Sequence, residues 1–283
     1  MIFAAGALHA LGCSRSDSDE AAAQRIGAPV GPTIARIQAL GGKVVYAFED
    51  FDGANVPPDR PSLSKVLSLV ESGVLSNFPD VVYVDMTGST VWDRDIGLLA
   101  NLPSIEGLDL GYSSVSDAAL EDLAGLIRLK RLSLVKTQIS GHGLRHLRDL
   151  PGLKLLDLGG ALIDDEGLEG ITGLPSLQNL HISGPEITST GMVQVAKLRT
   201  LRELSLFGTA VGAEGFEVLS ACPELEHLTI GEAQISKEMI RALSAFPSLA
   251  SVNVMGASGN DPRVDRLAEA LPDVQVGEVI VRF

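Results

Sequence analysis

The sequence is poor in aromatic residues, in cysteine and in positive charge. Aromatic residues make up 4% of its 283 positions, so the hydrophobic core has to be built mainly from aliphatic side chains. The two cysteines, Cys13 and Cys222, are too few and too far apart in the sequence for a disulfide framework or a zinc cluster. Acidic residues outnumber basic residues by 36 to 22, which gives a formal net charge of −14 at pH 7. Because a nucleic-acid-binding surface needs basic residues to neutralise phosphates, this charge argues against nucleic acid and against an anionic membrane surface as partners.

Long apolar segments and known catalytic motifs are missing as well. No run of about 18 apolar residues occurs, so the sequence predicts no transmembrane helix. It contains no G-x-S-x-G nucleophile elbow, no phosphate-binding loop and no dinucleotide-binding fingerprint. We therefore expect a protein that is not an enzyme and that uses neither a cofactor nor a metal ion. An enzyme with an active site of unfamiliar type remains one alternative.

The feature that dominates the sequence is a 24-residue repeat without insertions, which covers residues 78–258 in eight units. The units start at Phe78, Leu102, Leu126, Leu150, Leu174, Leu198, Cys222 and Phe246. The first unit is weaker than the next six, and the last one loses the pattern near Gly259. Their shared skeleton is L-x-x-L-x-x-L-x-L-x-x-[T/S/A]-x-I, followed by a short segment with helical spacing. Since one such unit cannot bury its own apolar face, the units must stack on one another.

This skeleton resembles the leucine-rich repeat family, in the 24-residue form found in bacterial proteins. The resemblance implies an α/β fold, a right-handed horseshoe-shaped solenoid with a parallel sheet on its concave side and short helices on its convex side. The best-known members carry Asn at the turn after each strand. Here that position is occupied by Ser89, Ser113, Thr137, Ala161, Pro185, Thr209, Ala233 and Ala257. We therefore expect the backbone of this turn to be satisfied in another way.

The spacing of leucines within a unit agrees with this architecture. Leu132 and Leu134 are two positions apart, so on a strand both side chains leave the same face. Leu144 and Leu147 are three positions apart, which on a helix directs both toward the core. A residue suited to starting a helix recurs between the strand and this helical segment. These residues are Ser116, Ser140, Asp164, Thr188, Gly212 and Ser236.

The densest group of acidic residues is the segment LIDDEG, residues 162–167. Asp164 falls at the position that starts the helix, and Asp165 and Glu166 fall in its first turn, where the helix dipole favours anions. A calcium loop would need oxygen ligands at alternating positions and a distal Glu, and this spacing is absent. The sequence therefore predicts that these acids begin a helix and form no metal or catalytic site.

The segments on either side of the repeats are predicted to cap the solenoid. Residues 33–77 are interpreted as an N-terminal cap that contains a helix ending at Gly41, a strand after it, and a second helix over 62–73. Residues 259–283 are interpreted as a C-terminal cap. Within it, Asp261 is predicted to cap a helix whose buried stripe is Val264, Leu267 and Leu271, and a strand follows.

Residues 1–32 carry a different pattern. An apolar run is followed by Gly12 and Cys13 and then by a Ser- and Asp-rich stretch, which resembles the signal of a bacterial lipoprotein. The resemblance implies lipid attachment at Cys13, a flexible tether after it and a location in the cell envelope. The pattern departs from that signal at Ala10 and Leu11, and no Lys or Arg precedes the apolar run. The alternative is an ordinary terminus and a cytoplasmic protein.

The strand positions that alternate with the core leucines should line the concave face. Packing does not dictate these residues, so a partner could select them. Leu155 and Phe207 are apolar where a solvated face would be polar, and polar and charged residues surround them. The predicted partner-binding residues are Tyr83, Asp109, Arg131, Leu155, Asp157, Asn179, His181, Glu203, Phe207 and His227. The resemblance implies a partner that is a protein or peptide. The alternatives are an unselected, solvated face and a tethered structural or scaffold protein.

Overall fold

The computed structural model describes residues 30–46, 80–257 and 261–279. Within these ranges the chain alternates between strands and short helices. The strands are β1 Lys43–Tyr46, β2 Val81–Asp85, β3 Gly107–Asp109, β4 Arg131–Ser133, β5 Leu155–Gly159, β6 Asn179–Ser183, β7 Glu203–Ser205, β8 His227–Gly231, β9 Ser251–Met255 and β10 Gln275–Val279. The α-helices are Val30–Ala39, Asp93–Ile96, Ala119–Leu123, Met192–Val195, Ala213–Leu219, Lys237–Leu243 and Pro262–Ala270. Short 3-10 helices cover Gly97–Asn101, His142–Asp149, Gly167–Gly173 and Glu232–Gln234.

All of these strands form one sheet, in which their order is the order along the chain. β1 pairs with β2 antiparallel, and every later pair is parallel. In each parallel pair a residue lies opposite the residue 24 positions later, as Leu108 does with Leu132 and Leu132 with Leu156. The period of the sequence is therefore the register of the sheet. This arrangement confirms the predicted α/β leucine-rich-repeat solenoid.

The core is aliphatic, as the shortage of aromatic residues requires. In the unit 126–149, Leu132 and Leu134 of the strand and Leu144 and Leu147 of the helical segment are all fully buried. Each such side chain stabilises the fold by about 1.5–3 kcal/mol relative to leaving it exposed. Cys222 takes the leading leucine position of its unit and is also fully buried. Burial raises the pKa of its thiol to about 11, as expected for a core residue that is not reactive.

The turn after the strand is satisfied without the Asn that the resemblance implies. The hydroxyls of Ser113, Thr137 and Thr209 each donate to the carbonyl oxygen three residues earlier, at 2.5, 2.7 and 2.7 Å. Where the side chain is Ala161, the backbone N–H makes the equivalent bond, to Leu158 at 3.1 Å. The turn is therefore satisfied in another way at these four positions, as expected, by a hydroxyl at three of them and by the backbone alone at Ala161.

On the convex side, glycines let consecutive units approach closely. Gly143, Gly167, Gly191 and Gly215 occupy the same position in four consecutive units. A Cβ at Gly143 would lie 2.6 Å from the carbonyl oxygen of Asp117, and one at Gly167 would overlap the carbonyl oxygen of Ser140. At these two positions the backbone of the preceding unit thus occupies the space of a side chain. At Gly191 and Gly215 the nearest atoms belong to side chains, Asp165 Oδ1 at 2.5 Å and Val211 Cγ1 at 2.6 Å.

Acidic residues on the same side join some units to the next. Asp117 accepts from the hydroxyl of Ser140 at 2.6 Å, and from the backbone N–H groups of Ser140, Gly141 and Gly143 at 3.0, 3.2 and 2.8 Å. Asp93 accepts in the same way from the N–H and hydroxyl of Ser116, both at 2.7 Å. Ser140 was predicted to cap the helix of its own unit. It instead donates to the preceding unit, because the carboxylate of Asp117 accepts from the N–H of Gly143.

The segment LIDDEG takes part in this arrangement. Asp164 accepts from the N–H of Gly167 at 2.8 Å, which confirms its predicted role at the start of the helical segment. Asp165 was assigned to the helix dipole, and that interpretation was incomplete. Its carboxylate accepts from the N–H of Thr188 at 2.8 Å and from the hydroxyl of Thr188 at 2.5 Å. Both acids are thus explained by the architecture.

The two ends of the described solenoid are closed by a helix and an extra strand. The helix Val30–Ala39 buries Ile34 and Ile37 against the first unit, and Arg36 forms an ion pair with the buried carboxylate of Asp95 at 2.8 Å. At the other end Asp261 accepts from the N–H of Arg263 at 2.8 Å, which confirms it as a helix cap. β10 then continues the parallel register of β9, so the sheet extends past the eight predicted units.

Several predictions fall outside the described residues. They concern the helix over 62–73, the lipid attachment at Cys13 and the tether that follows it. The division into segments at 32, 77 and 258 stays a prediction. No helix in the described ranges is long and apolar enough to cross a membrane.

Candidate functional site

The register of the sheet places the predicted partner-binding residues in columns that run across the strands. One column consists of Tyr83, Gly107, Arg131, Leu155, Asn179, Glu203, His227 and Ser251. The next consists of Asp85, Asp109, Ser133, Asp157, His181, Ser205, Thr229 and Asn253. Neighbours within a column are about 4.8 Å apart along the sheet, so their side chains can contact one another. We call this surface, together with Phe207 beyond the end of β7, the concave face.

Four of the predicted residues form a connected polar cluster at the centre of this face. The imidazole of His181 lies between two carboxylates, with Nδ1 3.4 Å from Asp157 and Nε2 3.6 Å from Glu203. The other carboxylate oxygen of Glu203 accepts from the side-chain amide of Asn179. We call Asp157, Asn179, His181 and Glu203 the central cluster. It spans three adjacent strands, β5 to β7.

The charges around His181 determine its protonation. The hydrogen bond to Asp157 raises the pKa of His181, partial burial opposes this, and the charges of Asp157 and Glu203 raise it further. The net pKa therefore lies above the ordinary value of 6.5. The imidazole is 32% exposed, so a partner could reach it. Its positive form is stabilised between two negative groups.

The aspartates of the second column also have a local structural role. Asp85, Asp109 and Asp157 each accept, through Oδ1, the backbone N–H two residues later, at 3.1, 2.8 and 2.9 Å. Such bonds end the strand and start the turn. Asp157 was predicted to point to solvent as a residue free for a partner. In the structure it is half-buried, and its two oxygens serve the turn and His181, so only part of its hydrogen-bonding capacity is open.

The predicted apolar residues of this face lie on glycines of the neighbouring strands. The ring of Tyr83 occupies the space that a Cβ at Gly107 would need. A Cβ at Gly231 would lie 3.7 Å from the ring of Phe207, so this ring covers the end of β8. Leu155 is half-buried in the first column, beside Asn179 in the register. The face thus carries flat aromatic surface at two places and an aliphatic side chain next to the central cluster.

Two further predicted residues have hydrogen bonds of their own. His227 lies one strand beyond Glu203, and its Nδ1 is 2.8 Å from the hydroxyl of Ser251. Asp109 lies on β3 with its carboxylate bound to the turn at Gly111, and Arg131 is exposed on β4. The columns predicted from the sequence are therefore present, and the structure joins four of their residues into one cluster.

Two residues at the edge of this face were missed by the sequence-based prediction. Tyr112 and Lys136 follow β3 and β4 and have φ angles of 56° and 52°. At the same position other units carry glycine. These glycines, all with positive φ, are Gly88, Gly160, Gly184, Gly208 and Gly256. The pattern of glycine at one phase of the repeat would have pointed to both exceptions.

The arrangement offers hydrogen-bonding and charged groups without the geometry of a metal site. Among the residues that the structure describes, no group of three or more His, Cys, Asp or Glu is arranged to hold a metal ion. The central cluster can donate from His181 and Asn179 and accept at Asp157 and Glu203. Leu155 and Phe207 provide apolar surface. These are the elements from which protein–protein interfaces are made.

A known family of repeats matches part of this chain. A family model described as Leucine Rich repeat matches residues 197–220. No curated protein matches the sequence. A solved structure of a plant peptide hormone receptor, RGFR1 in complex with RGF2, is similar at 15% sequence identity and a TM-score of 0.39. The similarity covers 65% of this chain but only 30% of the receptor chain. The matched residues span the length of one unit of the 24-residue register, and this match supports the resemblance to leucine-rich repeats.

Proposed function

We propose that this protein is a non-enzymatic interaction module that binds a protein or peptide on its concave face. The observation that carries the proposal is the central cluster, which occurs once among the units that the structure describes. The core leucines and the convex glycines recur because stacking requires them. The central cluster has no such requirement, and its groups are partly exposed beside Leu155.

The physical basis of binding is a rigid surface that is formed before the partner arrives. The strands are held in one sheet by their register, so the partner does not have to order them. Apolar side chains next to a partly desolvated charged cluster are typical of the residues that carry binding energy in interfaces. The mechanism is therefore shape and charge complementarity, and no covalent step is involved.

The test compares capture of partners by the wild type and by two variants. Leu155→Asp with Phe207→Asp places two charges on the concave face, whereas Val193→Asp places one at an exposed position on the convex side. All three proteins are immobilised and the captured proteins are identified by mass spectrometry. Melting temperatures verify that each variant is folded. We expect the double variant to lose the specific partner and Val193→Asp to keep it. Unchanged capture by the folded double variant would show that the concave face is not the binding surface.

A second candidate is a lipid-tethered structural or scaffold protein of a bacterial cell envelope. The observation that favours it is the sequence around Gly12 and Cys13, which lies outside the described residues. It predicts a lipid on Cys13 and no discrete partner of high affinity. Mass spectrometry of the native N-terminus tests it, since an unmodified N-terminal segment recovered with Met1 in the membrane-free fraction would exclude the anchor.

A further inference from the structure

The charge of the solenoid is distributed unevenly among its units. The unit 126–149 contains six of the 22 basic residues and a single acid, Asp149. The unit before it contains five acids and no base, and the unit after it contains five acids and one base. A protein with a net charge of −14 thus carries one strongly basic unit between two acidic ones.

The bases of this unit differ in how far the protein itself neutralises them. At the edge where the strands begin, Arg128 and Lys130 both pair with Glu106, at 3.3 and 2.8 Å. Lys136 lies at the opposite edge, where the strands end. In the described part of the chain, no carboxylate lies within 4.0 Å of its ammonium group, which is 5.0 Å from the centre of the Tyr112 ring. The positive charge at this edge is therefore available to a partner.

The backbone at Tyr112 and Lys136 is strained relative to the other units. Residues with a Cβ rarely adopt positive φ, and glycine is the residue that does so without cost. Five other units place glycine here, so the solenoid can be built without these two side chains. Strained positions of this kind often accompany a functional requirement. The retained groups are an aromatic ring that is 57% exposed and an ammonium group above it.

A third exposed side chain belongs to the same edge. Leu162 follows the equivalent turn in the next unit and is 68% exposed. Gly160, two residues before it, leaves room for the stem of Lys136, since a Cβ at Gly160 would lie 3.0 Å from its Cγ. Three consecutive units therefore contribute an exposed aromatic ring, a cation and an exposed aliphatic group. We call Tyr112, Lys136 and Leu162 the rim patch.

We propose that the rim patch binds an acidic segment of a protein partner, with a carboxylate on Lys136 and apolar side chains on Tyr112 and Leu162. Charge complementarity selects this occupant, because the ammonium of Lys136 has no carboxylate partner among the described residues and belongs to the basic unit. The site goes beyond the concave face: none of its three residues belongs to the columns, and it does not require the central cluster to bind anything.

The experiment uses fluorescence anisotropy with two labelled decapeptides, one of alternating Glu and Leu and one of alternating Lys and Leu, at physiological ionic strength. The test variant is Tyr112→Gly with Lys136→Gly, the substitution that five other units already contain. Lys154→Ala is the matched control, since it removes an exposed lysine at the edge where the strands begin. Lys136→Met removes the charge of Lys136 but keeps an aliphatic side chain of similar length. If the double variant does not fold, this variant tests whether the charge contributes to peptide binding. Leu155→Asp with Phe207→Asp separates this site from the concave face.

We expect the wild type to bind the Glu-Leu peptide in preference to the Lys-Leu peptide. The double glycine variant should melt at the same temperature or higher, yet bind the Glu-Leu peptide about tenfold more weakly or worse. Lys136→Met should weaken binding as well, while Lys154→Ala and the concave-face variant should keep it. No binding by the wild type, preference for the Lys-Leu peptide, or equal loss in Lys154→Ala would overturn the proposal.

Discussion

The convex and concave sides of the solenoid are built on different principles. On the convex side the same contact recurs at one phase of the repeat, where Asp93, Asp117 and Asp165 each bind the next unit. On the concave side the central cluster occurs once among the described units, and its neighbours along the columns make other contacts or end turns. The comparison teaches that a residue which repeats in phase is explained by stacking. A residue that departs from the phase needs another explanation.

This distinction changes the meaning of acidic residues in the sequence. Asp164 and Asp165 form the densest acidic segment, yet their bonds to Gly167 and Thr188 are architectural. Glu203 is a single acid in its column, yet it belongs to the cluster that is not repeated. The phase of an acid within the repeat therefore separates architectural acids from candidates for binding better than the number of acids in a segment does.

The largest effect should come from breaking a repeated convex contact. Gly167→Ala places a methyl group onto the carbonyl oxygen of Ser140, and neither backbone can move without separating two units. We expect this overpacking to lower the free energy of unfolding by about 3 kcal/mol or more, because the backbone cannot rotate away as a side chain would. Chemical denaturation measures the loss.

Gly125→Ala is the control for this prediction, since no atom lies within 4 Å of the added Cβ. It should change the free energy of unfolding by less than about 1 kcal/mol. Equal effects of the two substitutions would show that the convex glycines are not close-contact positions.

A smaller effect is expected from removing one carboxylate that joins two units. Asp117→Ala leaves the N–H groups of Ser140, Gly141 and Gly143 without this acceptor, and should cost about 2 kcal/mol. Asp122→Ala, an exposed acid in the same unit, should be nearly neutral. A comparable loss for both would contradict the role assigned to Asp117.

The contribution of Asp117 should also depend on pH. Burial raises its pKa, but the hydrogen bonds from Ser140, Gly143 and Gly141 outweigh burial, and the net pKa lies below the ordinary 3.8. A carboxylate whose pKa is lowered in the folded state stabilises the protein at pH values above its pKa in the unfolded state. This stabilisation is lost as pH falls through the pKa of the folded state. Wild type and Asp117→Asn should therefore converge in stability below about pH 4. A constant difference down to pH 2 would contradict this.

The smallest effect is expected in the central cluster, because it is partly exposed. The pKa of His181 is raised by Asp157, so its stabilising contribution is complete below the ordinary 6.5 and is lost as pH rises through the folded value. We expect less than about 1 kcal/mol, measured as the difference between wild type and His181→Gln at pH 6 and at pH 8.5.

Titration of the imidazole by NMR measures the pKa of His181 directly and so tests whether the central cluster forms. The pKa of His181 should lie above 6.5 in the wild type and fall in Asp157→Asn, while removal of the more distant Asp109 should leave it unchanged. An imidazole that titrates at or below 6.5 in the wild type would show that the cluster does not form in solution.

The sequence was sufficient to predict the fold because the fold is periodic. Leucines at fixed spacing gave the strands, their register and the columns of the concave face. Asp261 and the helix after it were also predictable, because an Asp before Pro262 is a strong local pattern. Local patterns and exact periodicity are properties of the chain alone, so no tertiary information was needed.

Contacts between units were harder to predict. That Asp117 binds Ser140 depends on how far the convex backbones approach, which follows from Gly143 and Gly167 together. The pairing of His181 with both Asp157 and Glu203 depends on the side-chain conformations of three strands. The strained Lys136 was detectable in principle, since it interrupts a column of glycines. Its contact with Tyr112 was not, because spacing does not define the direction of two flexible side chains.

The most direct test of the central claim asks which side of the solenoid touches a partner. Benzoylphenylalanine is introduced at Phe207 on the concave face and, in a second protein, at the exposed Val193 on the convex side. After irradiation in the native extract, crosslinked partners are identified by mass spectrometry. We predict a defined adduct from position 207 and none from position 193. Adducts from position 193 alone, or none from position 207, would contradict the assignment of function to the concave face.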